Sequence, residues 1–389
     1  MLNKENVRLG QVRSGIRELF EYGKKRKAEI GEENVFDFSI GNPSVPPPKS
    51  VREALSDLVK NSDPVALHGY TSAQGDLSVR ESVADDLNRR FGAGLNADFI
   101  YMTCGASASL TITLNALLNV GDEVIVFSPF FPEYKVFCEH AGGKLVVVPS
   151  DKNFQPDLKK FSSALNTRTK AVIINSPNNP SGAVYGEQTI KSLVDIIARQ
   201  KQPVYLISDE PYRELVYNGQ KIPFITNYYK RSIVCYSYSK SLSLPGERIG
   251  YVAVNPAMEE ADEVYAGVCG AGRALGFVCA PSLLQQLVKR CANQTSDFSV
   301  YVKNRDLLMR KLGEYGFEFV PPDGAFYLFV KSPDGCGASF AERAKSFEIL
   351  LVDGAGFGCK EYVRLSYCVS EEMLERSLPA FKALAESYV

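Results

Sequence analysis

Between residues 98 and 254, short apolar runs alternate with longer stretches whose apolar positions recur every three or four residues. The runs fall at 99–102, 123–127, 145–148, 171–174, 204–208, 233–236 and 250–254. Several are rich in β-branched residues and nearly continuous, as expected of strands buried on both faces. Stretches such as 107–118 and 188–199 lie between them with helical spacing. The alternation predicts an α/β domain with a mostly parallel seven-stranded sheet, whose ligands bind at the carboxyl ends of the strands.

The flanks read differently. Residues 11–30 place Val12, Ile16, Leu19 and Phe20 at helical spacing, and an extended piece over 36–40 then ends in Gly41-Asn42-Pro43. In the last hundred residues a long helical pattern (282–315) precedes a short strand at 317–320 and a hairpin-like segment at 324–330. A strand at 362–367 and a closing helix follow. This predicts a smaller α+β domain completed by the N-terminal segment. The expected division is 1–45 for that segment, 46–285 for the large domain and 286–389 for the small one. A chain of 389 residues is too long for one small core and suits such a pair.

Charge narrows the function. Lys and Arg number 44 against 45 Asp and Glu, which argues against nucleic-acid binding through bulk charge. No apolar run approaches the roughly 20 residues that span a bilayer, and the charged opening lacks a secretory h-region. The nine cysteines are scattered singly with no C-x-x-C pair, the pattern of reduced thiols in a cytoplasmic protein. With only His68 and His140 available, a histidine zinc site or a Ser-His-Asp triad has little material.

The richest chemistry lies in Ser237-Tyr-Ser239-Lys240-Ser-Leu-Ser-Leu-Pro-Gly246-Glu-Arg248-Ile-Gly250. A lysine among small hydroxyl residues can condense with a carbonyl, and an arginine with serines makes a phosphate grip. Pyridoxal phosphate is the cofactor that needs both. Other strand ends supply further parts. Gly105-Ala106-Ser107 opens a helix, where backbone N–H groups meet a phosphate or Ser107 simply caps. Asn179 sits in the rigid turn Asn175-Ser-Pro-Asn-Asn179-Pro180-Ser-Gly182. Asp209, at the end of a buried strand, needs a reason to be there, and an ion pair with a protonated pyridine nitrogen would be one. Tyr212 follows it at the distance of one turn, and Phe131 offers a ring that would either stack on the cofactor or pack in the core.

Five ordered motifs, Gly105-x-Ser107, Asn179-Pro-x-Gly182, Asp209-x-x-Tyr212, Ser237-x-Ser239-Lys240 and Gly246-x-Arg248-x-Gly250, make the chain resemble the class I/II aminotransferases. These are the aspartate-aminotransferase-like enzymes of pyridoxal-phosphate fold type I, and the likeness runs from Ile40-Gly41 to Arg364-Leu-Ser366. The resemblance implies that Lys240 is the Schiff-base lysine and Asp209 the pyridinium partner. Asn179 and Tyr212 match the groups that hold the ring oxygen. Ala106, Ser107, Ser237, Ser239 and Arg248 match the phosphate cup, and Phe131 the stacking aromatic. Tyr70 matches a tyrosine reaching a neighbouring subunit's phosphate, which implies a homodimer with shared sites. Arg364 matches the arginine that forks the substrate α-carboxylate, and Ile40 and Gly41 the segment that closes over it.

The implied reaction is ping-pong transfer of an amino group between an L-amino acid and a 2-oxo acid. Arg273 stands near the offset of a family arginine that holds a second carboxylate from the partner subunit, which would favour aspartate and glutamate. Otherwise aromatic or neutral amino acids fit, with Phe130, Tyr134 and Phe357 as wall residues. The same constellation also supports a carbon–sulfur β-lyase acting on cysteine conjugates. A non-enzymatic binding module on this scaffold is weakened by the intact Lys240, Asp209, Arg248 and Arg364.

Overall fold

In a computed structural model, which describes residues 2–11 and 15–388, seven strands form one central sheet. They are β1 (Ile100–Thr103), β2 (Glu123–Ser128), β3 (Lys144–Pro149), β4 (Thr169–Asn175), β5 (Tyr205–Asp209), β6 (Ser232–Ser237) and β7 (Gly250–Val254). Their spatial order is β1-β7-β6-β5-β4-β2-β3. All neighbouring pairs from β6 to β3 are parallel, whereas β7 runs antiparallel to both β1 and β6. The sheet is thus the mostly parallel seven-stranded one that the apolar runs predict.

The near-continuous apolar runs have a direct cause. Alternate residues of a strand face opposite sides. Val124 and Val126 pack with Leu110 and Val268 on one face, while Ile125 and Phe127 pack with Val83 and Leu287 on the other. Helices cover both faces, so neither set can be polar. The predicted helices at 107–118 and 188–199 are found at Ala106–Leu117 and Glu187–Ala198.

A smaller body completes the molecule. Its four-stranded antiparallel sheet has the order Val352–Asp353, Tyr362–Ser366, Tyr327–Lys331, Glu318–Phe319. Helices Ser299–Glu314, Gly337–Lys345 and Glu371–Glu386 enclose a core that includes Leu308, Phe340, Leu365 and Phe381. The N-terminal segment joins this body, because Phe36–Asp37 pairs in parallel with Ile349–Leu350 and Ser366 N–H donates to Phe38 O at 2.9 Å.

Two helical patterns differ from expectation. The pattern at 11–30 is a helix over Gly15–Ile30 preceded by another over Lys4–Gln11, and Val12 lies outside the described residues. The pattern at 282–315 is two helices, Ser282–Cys291 and Ser299–Glu314. The polar run Asn293-Gln-Thr-Ser-Asp297 breaks it, and Asp297 Oδ1 accepts from Ser299 N at 2.9 Å to start the second helix. Ser296 N–H in that break reaches Ser241 O at 2.8 Å, anchoring the turn that carries Lys240. No helix among the described residues is long and apolar enough to cross a membrane.

Candidate active site

The carboxyl ends of β4, β5 and β6 open into a cavity of about 270 Å³ that the smaller body roofs with Tyr327 and Arg364. Lys240 lies on the one-turn helix Tyr238–Ser241, whose start is capped by Ser237 Oγ accepting from Ser239 N. Its Nζ donates to Gly41 O at 2.6 Å and stands 5.4 Å from the centre of the Phe326 ring. Burial lowers its pKa from 10.5 to about 8, and the charges of Arg364 and Arg248 push the same way. A lysine in this state gives up its proton far more readily than one on the surface.

Asp209 closes β5 between Asn175 of β4 and Cys235 of β6. Its backbone is pinned by Asn175 Nδ2 donating to Asp209 O at 2.9 Å, and Glu210 N–H donates to Cys235 O at 2.9 Å. The carboxylate receives one hydrogen bond, from Tyr134 Oη to Oδ2 at 2.5 Å. Oδ1 is buried with no partner. Burial therefore raises its pKa to about 7, against the lowering effect of the tyrosine. A buried acceptor left open at the end of a rigid strand suits a cationic N–H of a ligand. Behind it, Glu210 and Arg213 form a fully buried ion pair, and Arg213 Nη1 donates to Tyr251 Oη at 3.0 Å.

A second cradle lies across the cavity. Helix Ala106–Leu117 points its N-terminus inward from Gly105, which has φ 88°. That positive φ favours glycine, and a Cβ there would crowd Arg248 Nη2 at 2.8 Å. Ser237 Oγ and Ser239 Oγ are 2.8 Å apart, and Arg248 Nη1 donates to Ser239 Oγ at 3.3 Å. Arg248 holds a left-handed backbone at φ 52°, a conformation that costs a non-glycine residue about 1–2 kcal/mol. Helix N–H groups, two hydroxyls and a guanidinium converge here, a donor set that could hold a phosphate.

Arg364 sits on the strand Tyr362–Ser366, with Phe329 and Val352 beside it on the flanking strands. Only 2% exposed, it donates to Asn179 Oδ1 at 3.0 Å and to Ser39 O at 2.6 Å, while its Nε has no partner. The rings of Tyr327 and Phe357 lie 4.7 Å and 5.1 Å from the guanidinium carbon. Tyr212 Oη is 2.7 Å from Tyr327 Oη. Gly41 must be glycine, because a Cβ would fall 2.1 Å from Tyr327 Oη.

Of the residues singled out in the sequence, Gly41, Ala106, Ser107, Phe131, Asn179, Asp209, Tyr212, Ser237, Ser239, Lys240, Arg248 and Arg364 line this one cavity. Six stand outside it within this chain: Ile40, Tyr70, Arg273, Phe130, Tyr134 and Phe357, the last buried with its ring 5.1 Å from the Arg364 guanidinium carbon. Ile40 is partly exposed beside it, with its carbonyl facing Cys368 Sγ at 3.8 Å. Tyr70 is 98% exposed, and Arg273 is exposed in the last turn of helix Ala261–Leu275. Phe130 and Tyr134, expected as wall residues, are buried in the core of the large sheet instead, and Tyr134 is spent on Asp209. Ile16, Leu110, Asn175 and Tyr327 also line the cavity, although the sequence motifs do not mark them as site residues. Asn175 had a visible signal, since it ends a strand as Asp209 does. Its Oδ1 accepts from Asn179 N at 2.8 Å, so one amide ties both strand ends together. Among the described residues no group of three His, Cys, Asp or Glu is placed to hold a metal ion.

Residues 33–381 match the family model described as aminotransferase class I and II. An aspartate aminotransferase of Thermotoga maritima is 32% identical over 371 residues, covering 93% of this chain and 95% of that one. A crystal structure of an aminotransferase from Eubacterium rectale is 53% identical, with TM-score 0.97 over 100% of this chain and 99% of the other. The aspartate aminotransferase of Thermus thermophilus with maleate is 26% identical, with TM-score 0.87 over 99% of both chains. Strand-end chemistry, fold and relatives agree: the chain belongs to the class I and II aminotransferase family and is a pyridoxal-phosphate-dependent aminotransferase.

Proposed function

We propose that this enzyme moves the amino group of an L-amino acid to a 2-oxo acid, with Lys240 as the reactive amine of the cavity. The observation that carries the reading is the convergence of Lys240, the unpartnered Asp209 Oδ1 and the unpartnered Arg364 Nε on one cavity. Pyridoxal phosphate, when bound, supplies an aldehyde carbon that takes up amines and a ring that draws off the electron pair left at Cα. The residues present fit that group. Asp209 Oδ1 would take the ring N–H, the helix start at Ala106 and Ser107 with Ser237, Ser239 and Arg248 would take the phosphate, and Phe131 would face the ring. Asn179 and Tyr212 would hold its oxygen.

The protein side of the mechanism follows from these positions. Arg364 orients the substrate α-carboxylate by a two-pronged contact, assisted by Asn179 and by the backbone of Gly41 and Ile40. Lys240 Nζ, with its lowered pKa, is available as a free base to accept a proton released at Cα and to return one. Asp209 stays ionised when a cation lies against it. Tyr134 holds it in place. Tyr327 and Arg364 bound the cavity on the side of the smaller body.

Arg364→Lys is expected to raise KM for amino acids about 10–100-fold, the loss of a charged hydrogen bond worth about 1.5–3 kcal/mol. Its kcat should change much less. Steady-state kinetics with one donor and a saturating oxo acid separates the two. Tyr134→Phe removes the single hydrogen bond of Asp209 and should lower kcat about tenfold or more. The acid limb of its pH profile should also move upward, because the tyrosine lowers the carboxyl pKa.

The phosphate cradle also supports a homodimer, in which Tyr70 would reach the partner's cradle. Arg248 and Ser107 are exposed in the single chain, and Tyr70 projects into solvent with Val65 and Leu77 exposed nearby in sequence. Light scattering and loss of cofactor affinity in Tyr70→Ala would test this. The β-lyase reading gains nothing from the named relatives, which are transferases. Product analysis tests the choice directly. A new amino acid formed from the added oxo acid supports transfer, whereas pyruvate and ammonia from a cysteine conjugate, with or without acceptor, would replace it.

A further inference from the structure

A second cleft of about 680 Å³ adjoins the first cavity, and Ile16 and Phe131 are walls of both. It runs between helix Gly15–Ile30, the loop before helix Glu133–His140 and the smaller body. Leu19, Leu351 and Val352 give it a buried apolar floor, and Tyr22 and Phe357 add aromatic surface. Its charged rim carries Glu18, Glu133, Glu342 and Asp353 against one cation among the described residues, Lys345. Glu18, Glu133 and Asp353 have no salt-bridge partner among the described residues, while Glu342 is paired with Lys345 at 2.6 Å.

We propose that this cleft receives the substrate side chain, and that the enzyme prefers L-amino acids with long apolar or aromatic side chains to aspartate and glutamate. The inference rests on the function proposed above and names its substrate class. Three facts carry it. First, the cations lining the first cavity among the described residues are Lys240, Arg248 and Arg364, and each already has a task there. None remains for a second carboxylate, and Arg273 lies outside this chain's cavity. Second, a first cavity of about 270 Å³ must hold the cofactor and the Cα end of the substrate, so a side chain of any length has to leave it. Ile16 and Phe131, the residues the two spaces share, are apolar, and the two together have the size and character of a small-molecule site. Third, a carboxylate entering the cleft would lose water against apolar walls, and among the described residues it would meet more acids than cations, the lone Lys345 being paired with Glu342.

The test uses the cofactor-loaded enzyme and single amino acids, followed by visible absorbance after rapid mixing. Phenylalanine, tyrosine, leucine and methionine should react with kcat/KM at least about tenfold above alanine, and aspartate and glutamate should fall below alanine. An equilibrium measurement removes the chemistry from the comparison: 3-phenylpropionate should bind at least about tenfold more tightly than maleate. Ala338 lines only the second cleft, exposed on helix Gly337–Lys345. Ala338→Trp should cut the phenylalanine rate tenfold or more and leave alanine within about twofold. Fastest reaction with aspartate or glutamate, or tighter binding of maleate, overturns the proposal, and loss of that preference in Arg273→Ala would assign the carboxylate to the partner's arginine. Equal loss for alanine and phenylalanine in Ala338→Trp also overturns it. If no amino acid reacts while the unreactive acids still sort as expected, the cleft assignment survives and the roles given to Lys240 and Asp209 fail.

Discussion

Lys240→Ala is expected to lose transamination by roughly 10⁴-fold or more, because the proposed mechanism makes one atom both reactive amine and proton carrier. Single-turnover absorbance with a fast donor is the measurement, and retention of more than a hundredth of the rate would remove Lys240 from the mechanism. The same lysine leaves a mark on stability that does not depend on catalysis. In the fold its pKa is about 8, against an ordinary 10.5. Between those values the unfolded chain holds the extra proton, so the cofactor-free protein gains stability as pH rises from about 8 to 10.5. Below pH 8 both states are protonated and the buried charge destabilises the fold. Lys240→Met should therefore be more stable than the cofactor-free parent at pH 7, by about 3 kcal/mol at most. The gap should close towards pH 10.5 in denaturant titrations. A Met variant less stable than its parent at pH 7 would show that the amine is better solvated than its surroundings indicate.

Asp209→Asn is the second large effect. It keeps the shape and the Tyr134 contact but removes the negative charge. The expected loss in kcat is roughly 10²–10³-fold, the size seen when one preorganised electrostatic group is removed. Cofactor should also dialyse away faster, a readout that needs no turnover. More than a tenth of the activity in the Asn variant would mean that charge is not what the position supplies. The sign of the stability effect is opposite to that of Lys240. Burial raises the Asp209 pKa from 3.8 to about 7, so the folded state binds the proton first. Its contribution is fully present below pH 4 and is lost as pH rises to 7. At neutral pH the cofactor-free protein thus carries a buried cation and a half-ionised buried acid, and a ligand that answers the acid should raise its melting temperature strongly.

The frame of this site was readable from the chain because strands buried on two faces leave long apolar runs, and a polar residue ending such a run is conspicuous. Asp209, Asn179 and Lys240 were found in that way. Tyr134 reads only as a wall residue, because nothing local shows its hydroxyl reaching a carboxylate 75 positions away. Ile16 and Tyr327 come from other parts of the chain, so their place at the cavity depends on how the two bodies close. The break after Cys291 is hard to read because helical apolar spacing resumes from Ser299, and only the short polar run 293–297 marks it. Arg273 shows the other limit: its offset from Lys240 along the chain does not place it in this chain's cavity.

The strand Phe36–Asp37 pairs with Ile349–Leu350, and the carbonyls of Ser39 and Gly41 are held by Arg364 and Lys240. During synthesis these partners are separated by time as well as by sequence. At roughly 5–20 residues per second, Ile349 follows Phe36 by about 15–60 s. The large sheet, complete by Val254, can form within that interval, while residues 36–41 wait without partners. The cavity closes only after the strand bearing Arg364 has emerged, so a growing chain has its scaffold well before it has its chemistry.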